Sequence, residues 1–320
     1  MSNDKKLKKF LGIFACVVLT VLVYLYMCMV VTPKDISNAG GPLYYRGMGF
    51  MSEPENSIDI MVYGNSDVYS GFVPARLFDQ HGYTSYASGR ANQTVGETVT
   101  LLEETLEKQK PKLVILETDC FFTKRKKMNV DTGNILVAPF LYHSRWKEIN
   151  YKDFIDIPNR TDQKDLNKGF LPSKLTFKSN KFGNYMKNTG AKPENITKGN
   201  KKEIEKFIKL CNKHNVPVLF LELPSPSSWN YSKHQAVNKI ATKYDVPFLD
   251  LNMEIDDYKV NLLKDFRDEG NHMNTFGASR ATDYVGKYIS NAYKDSLKDK
   301  RNEEEFKGWH KTVKKYYEAI

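Results

Sequence analysis

The chain has 320 residues, 41% of them hydrophobic and 27% charged, with a formal net charge of +10. That length and apolar content suffice for a real core, which excludes wholesale disorder. The surplus lysines are scattered, and no zinc-finger spacing, RNA-binding aromatic motif or basic heptad array occurs; this argues against a nucleic-acid partner and leaves anionic lipid headgroups, phosphate-bearing surface polymers, or simply a solvated surface with no specific partner.

The first element runs from Phe10 to Val31, 22 residues without a charge. At about 1.5 Å per residue it reaches about 33 Å, enough to cross the hydrocarbon core of a bilayer. Lys5, Lys6, Lys8 and Lys9 precede it, so the positive-inside rule assigns residues 1–9 to the cytoplasm and the rest of the chain to the cell exterior. A cleaved signal peptide would carry an apolar region of roughly 7–15 residues and a small-x-small site. The span is longer than that, and Ser37-Asn38-Ala39-Gly40 is a poor match to such a site. A single-pass transmembrane anchor over residues 10–31 is therefore expected. Residues 32–55, with Pro33, Gly40, Gly41, Pro42 and Pro54, read as a linker.

Beyond the linker, Ile58 to Tyr63 (IDIMVY) is a short apolar run closed by Gly64, the pattern of a buried strand. Pro74 opens a short helix that ends at His81-Gly82. Thr94 to Gln109 places Val95, Val99, Leu102 and Leu106 on one helical face, and Leu113 to Leu116 is a second buried strand. From Phe121 to Gly199 no period is sustained, so 121–199 is expected to be a folded insertion or lid rather than a passive loop. Alternation resumes with a helix over Lys201–Asn215, a strand over Val216–Leu221, a helix over Tyr231–Tyr244, a strand over Val246–Leu251 and a closing helix over Phe276–Ala292. The expected organisation is an α/β domain over 56–295, with a parallel sheet between helices, followed by a charged helical tail over 296–320.

In an open parallel sheet, ligands bind beyond the carboxyl ends of the strands. After the first strand comes Gly64-Asn65-Ser66-Asp67, where Ser66 is a candidate nucleophile, although the same four residues are ordinary turn chemistry. Ahead of the last helix, Asp268 and Glu269 precede His272. A histidine so placed suits a base that deprotonates a serine while a carboxylate holds its tautomer; a capped loop with a surface histidine is the plain alternative. Ser88-Gly89-Arg90-Ala91-Asn92-Gln93 runs into the helix that starts at Thr94. Gly89 would let a carbonyl approach, and Asn92 or Gln93 could donate to an oxyanion; helix capping alone explains the same segment. In the insertion, His143 and Arg145 flank Ser144 next to Trp146 and are candidate substrate contacts, or simply packing. No metal or cofactor is expected.

These pieces, a serine in G-x-S-[DH] (Gly64, Ser66, Asp67), a G-x-x-x-Q loop (Gly89, Gln93) and F-x-D…H-[LM]-N-x-x-G (Phe266, Asp268, His272, Met273, Asn274, Gly277), resemble the SGNH/GDSL hydrolase superfamily. Within it, the pattern is similar to the membrane-anchored DltD-like and polysaccharide O-acyltransferase-like branch, over residues 57–120 and 200–292 with the insertion unmatched. The resemblance implies a flavodoxin-like three-layer α/β/α fold with a parallel sheet, Ser66 as nucleophile, His272 as base, and pairing with a polytopic membrane O-acyltransferase (MBOAT). The chain departs from the family twice. Typical members carry an aspartate three residues before the histidine, where this chain has Glu269, with Asp268 four before; either could orient His272. They also carry an oxyanion asparagine where this chain reads Glu117-Thr118-Asp119. The expected activity is serine acyl transfer to an anionic cell-surface glycopolymer, with an extracellular esterase or deacetylase, and a non-catalytic accessory subunit, as the alternatives.

Overall fold

The computed structural model describes residues 2–32, 47–124, 136, 138–141, 146–147, 149–156, 165–177, 183–255, 257 and 259–320. The chain divides into two compact units, residues 1–45 with 126–163 and residues 46–125 with 164–320.

In the first unit, α1 (Ser2–Val31) is a continuous helix. Among the described residues it alone is long and apolar enough to cross a membrane or to act as a signal sequence. Two pieces of the insertion pack on it, a helical turn at Ala138–Leu141 and a 3-10 turn at Tyr151–Phe154.

The second unit is built on five parallel strands: β1 (Ile60–Gly64), β2 (Ser85–Gly89), β3 (Leu113–Glu117), β4 (Val218–Glu222) and β5 (Phe248–Asp250), in the order β2-β1-β3-β4-β5. That is the flavodoxin-like order, whose direction of winding reverses between β1 and β3. The helices are α2 (Ser66–Gly71), α3 (Pro74–His81), α4 (Val95–Lys108), α5 (Lys198–Lys213), α6 (Tyr231–Tyr244), α7 (Thr275–Ala292) and α8 (Gly308–Ala319). Alternation along β1 explains the layers. Ile60 and Val62 join a cluster with Phe72, Val73, Ala278 and Val285 from α7 and the chain around α2 and α3. Tyr63 points the other way, edge-on to Phe207 of α5, and its hydroxyl donates to Thr105 of α4 at 2.6 Å.

The strands at β4 and β5 each begin two residues later than the apolar runs, because Pro217 and Pro247 have no N–H to donate. Their carbonyls are still used, accepting from Val114 and Phe220.

β2 carries no apolar run (Ser-Tyr-Ala-Ser-Gly) and was not expected as a strand, yet every one of its residues is buried. Its burial comes from segments distant in sequence. The Ala87 N–H donates to the Lys168 carbonyl, and the Ser88 hydroxyl donates to the Gly47 carbonyl. Gly169 (φ 89°) passes so close that a Cβ there would strike the Ala87 carbonyl, so only glycine fits.

Two flanking stretches pack onto the second unit. Residues 47–55, read as the end of a linker, are folded into the domain. Phe50 is fully buried edge-on to Tyr86, and Glu53 forms a buried ion pair with Lys168 at 2.6 Å. The tail at 296–320 is a packed layer, in which Trp309 of α8 stacks on Phe78 of α3 with centroids 5.0 Å apart. Cys120 and Cys211 are both buried and unpaired.

Candidate active site

Ser66 lies just beyond the carboxyl end of β1, at the point where the sheet reverses its winding, and is the first residue of α2. Three contacts shape its loop. Asn65 caps α2 by accepting the Asp67 N–H at 2.9 Å. Its own N–H donates to Glu117 Oε2 at 3.1 Å, and its amide donates to Asp119 Oδ2 at 2.9 Å. Asp119 in turn pairs with Lys233 at 2.7 Å. Gly64 lets Glu117 tuck beneath the loop, since a Cβ there would fall 2.5 Å from Oε2.

His272 is brought to the same edge by a hairpin-like turn. Phe266 and Met273 form an antiparallel bridge, Arg267 N–H donates to the His272 carbonyl, and Gly270 supplies the left-handed residue at φ 85°. The turn folds Asp268 back on His272. Asp268 Oδ2 lies 2.5 Å from Nδ1, and Oδ1 accepts the backbone N–H groups of His272 and Asn271 at 2.8 and 2.9 Å. Burial pushes the Asp268 carboxyl up, but these hydrogen bonds outweigh it and hold the group below its ordinary value. Of the two carboxylates left open by the sequence, Asp268 is the one on the imidazole; Glu269 is exposed. The remaining motif residues are structural. Asn274 caps α7, accepting from Phe276 and Gly277 N–H, and Gly277 leaves room for the Asp265 carbonyl.

Tyr69 joins the two halves. It is one turn along α2 from Ser66, and its phenol interacts with the side chains of Ser66 and Arg267. Its ring lies parallel to that of His272, with centroids 6.5 Å apart. Burial pushes the Tyr69 phenol above its ordinary pKa and the nearby Arg267 opposes this less strongly, so ionisation of Tyr69 is disfavoured. The signal for it was the i, i+3 spacing from Ser66 on a short helix.

Among the expected oxyanion donors, Gly89 abuts the serine loop, where a Cβ would fall 2.6 Å from the Asn65 carbonyl. Asn92 is exposed in the left-handed region at φ 54°. Gln93 is buried, and its amide nitrogen donates to Thr98 Oγ1 at 3.0 Å and to the Ser88 carbonyl at 3.4 Å, so in this structure its amide braces the loop. His143 and Arg145 lie outside the described residues. The structure also pairs His234 Nδ1 with Asp250 Oδ2 at 2.7 Å, an association between α6 and β5 with no counterpart in the local sequence; Trp229 donates to the same oxygen.

No protein-family model and no curated protein matches the chain. Its shape is similar to that of solved lipases and esterases. A G-D-S-L family protein from Desulfitobacterium hafniense DCB-2 is 13% identical, covers 72% of this chain and 98% of its own, and gives a TM-score of 0.39. The lipase/acylhydrolase from Enterococcus faecalis is 10% identical over 73% and 96%, with a TM-score of 0.39. The Clostridium thermocellum family 3 carbohydrate esterase is 12% identical over 74% and 98%, with a TM-score of 0.38.

The last residues of β3 and β4 are both buried glutamates, Glu117 and Glu222, and the buried Asp67 lies within electrostatic reach of Glu117. Burial, then the charge of Asp119, raises Glu117 to about 8; Asp67 and Glu222 are raised by burial first and then by the charges of Glu117 and Asp119. Between 4.5, the ordinary glutamate value, and about 8, the folded protein holds a proton that the unfolded chain has lost. Stability therefore falls as pH rises through that window, with the penalty complete above it. The depressed Asp268 acts with the opposite sign, its contribution being lost on acidification below the ordinary aspartate range. The urea midpoint is expected to drop between pH 5.5 and 8.5, and Glu117→Gln is expected to reduce that drop. A wild-type midpoint that is flat across this range would contradict the assignment.

Proposed function

We propose that the chain is a membrane-anchored serine acyltransferase of SGNH type. The observation that carries this reading is the Asp268–His272 pair beside Tyr69, on the same sheet edge as Ser66. Ser66 Oγ attacks the carbonyl carbon of an ester or thioester as its proton passes to His272 Nε2. Asp268 accepts the Nδ1–H, fixing the tautomer and stabilising the imidazolium that forms. The negative charge on the tetrahedral oxygen is met by the Ser66 backbone N–H and by donors near Gly89 and Asn92. Collapse expels the leaving group, which takes its proton from Nε2, and leaves an acyl-serine. An acceptor hydroxyl, deprotonated by the same nitrogen, then displaces Ser66.

The acceptor in this reading is an anionic cell-surface glycopolymer, favoured by the net charge of +10 and by the apolar α1, read as a single-pass anchor with residues 1–9 in the cytoplasm and the catalytic domain outside. A polytopic membrane O-acyltransferase would supply the acyl group.

A fluorophosphonate probe tests the nucleophile. Wild-type protein is expected to be labelled on Ser66, and Ser66→Ala protein, folded to the same melting temperature, to stay unlabelled. Folded wild type that resists the probe would favour a non-catalytic accessory subunit. With a labelled acyl donor, release into water at the same rate with and without a polymer acceptor would favour an esterase.

A further inference from the structure

The first unit places irregular backbone of the insertion directly against α1. Tyr24 donates its hydroxyl to the Leu136 carbonyl at 2.6 Å, and Tyr26 donates to the Phe154 carbonyl at 2.8 Å. At about 1.5 Å per residue, Tyr24 lies about 10 Å below the Val31 end of the helix, at or within the edge of the hydrocarbon layer if the helix spans it. Non-helical backbone is tolerated at that depth only when its polar groups are satisfied internally, and these two tyrosines satisfy the Leu136 and Phe154 carbonyls.

The same pieces expose large apolar side chains. Phe140 is 64% exposed, Trp146 68%, Tyr151 73% and Ile155 69%. Tyr151 and Phe154 are held in an ordered turn whose cap, Asn150, accepts the Lys152 N–H and is itself tied to Asp153. Exposed aromatic residues concentrated in one short stretch, continuous with an apolar helix, are costly in water and suited to the boundary between headgroups and acyl chains. Lys147, with its ammonium 5.6 Å from the Trp146 ring, and Lys152 are exposed beside them and suit anionic headgroups.

We propose that Phe140, Trp146, Tyr151, Phe154 and Ile155 form a foot that inserts into the phospholipid surface beside α1. The occupant of this apolar surface is lipid, and one function of the insertion is to hold the first unit at a set depth. This rests on the reading of α1 as a membrane-spanning anchor.

Tryptophan fluorescence separates the two ideas. The chain has three tryptophans, of which Trp229 and Trp309 are 2% and 5% exposed. The full chain is reconstituted into vesicles of equal parts phosphatidylcholine and phosphatidylglycerol, with or without bromine near the carbonyl end of the acyl chains. Brominated lipid is expected to quench about a third of the emission, the share of one tryptophan in three. Trp146→Phe is expected to abolish the quenching while the protein still floats with the vesicles after a carbonate wash. Protein that floats but is not quenched, or is quenched equally in Trp146→Phe, would overturn the foot and leave the anchor standing; in the first case the patch would face a protein partner. Protein that does not float would overturn both.

Discussion

Asp268→Asn is expected to lower turnover of an activated ester about 10⁴-fold with the fold intact, whereas Glu269→Gln changes it less than about twofold. The geometry dictates the asymmetry. Asp268 Oδ2 is 2.5 Å from His272 Nδ1, while Oδ1 already accepts two backbone N–H groups. An asparagine keeps those backbone bonds through its carbonyl and turns its amide nitrogen toward Nδ1. Because that nitrogen only donates, it selects the tautomer with the proton on Nε2, and His272 can no longer accept the proton of Ser66. The loss should therefore fall in kcat, with little change in KM. Glu269 is exposed and has no such contact. Equal losses for the two variants, or near-normal turnover in Asp268→Asn, would break the link between this carboxylate and His272.

Trp309→Ala is expected to cost the second unit about 3–5 kcal/mol. For a domain of this size that corresponds to a melting temperature lower by roughly 10 °C. Trp309 is buried against Phe78 and lies near Lys168, whose ammonium is 5.1 Å from the indole ring. Lys168 is itself 2.6 Å from Glu53, in a pair with little access to water. Removing the indole leaves a cavity that two fixed elements, α3 and α8, cannot both close. It also removes apolar cover from a buried ion pair, where desolvation and attraction are finely opposed. Circular dichroism melts of the full chain in detergent measure the effect. A shift of less than about 2 °C would show that α8 contributes little to the core.

The legibility of the fold followed local pattern. The runs at Ile58–Tyr63, Leu113–Leu116, Val216–Leu221 and Val246–Leu251 mark strands because strands buried on both faces must be apolar throughout. The long helices show themselves through amphipathic spacing, and the proline after each valine shifts the true strand starts of β4 and β5 by two residues. β2 was invisible because nothing in Ser-Tyr-Ala-Ser-Gly is distinctively apolar. The Ser88 hydroxyl and the Ala87 N–H are satisfied by the carbonyls of Gly47 and Lys168, partners whose proximity no local window contains.

At the candidate site, Ser66 and His272 could be singled out because each follows the sheet-edge position at which α/β folds expose ligand-facing groups. The choice between Asp268 and Glu269 could not be made from spacing, since three and four residues are both plausible separations in a turn. The left-handed Gly270 decides it by turning Asp268 inward and Glu269 out. The engagement of Gln93 is hidden for a related reason. A glutamine ahead of a helix offers an amide, but Thr98 and the Ser88 carbonyl consume it. The support beneath the serine loop, from Glu117 through Asn65 to Asp119 and Lys233, joins residues 65, 117, 119 and 233 and leaves no mark in any one of their neighbourhoods.

By itself, the amino-acid sequence determined where the apolar helix lies, which segments form most of the parallel sheet, and that a serine and a histidine stand at the ends of its first and last units. Those features depend on the periodicity and composition of contiguous residues, and hydrophobic burial reads them directly. Only the tertiary structure decided which carboxylate holds His272, that Gln93 is a brace, that Tyr69 interacts with both Ser66 and His272, and that Phe50 and Trp309 anchor the segments flanking the domain onto its core. Each of these is a matter of hydrogen bonds and close packing between segments far apart in the chain, whose angstrom-scale distances are set once the whole unit has closed.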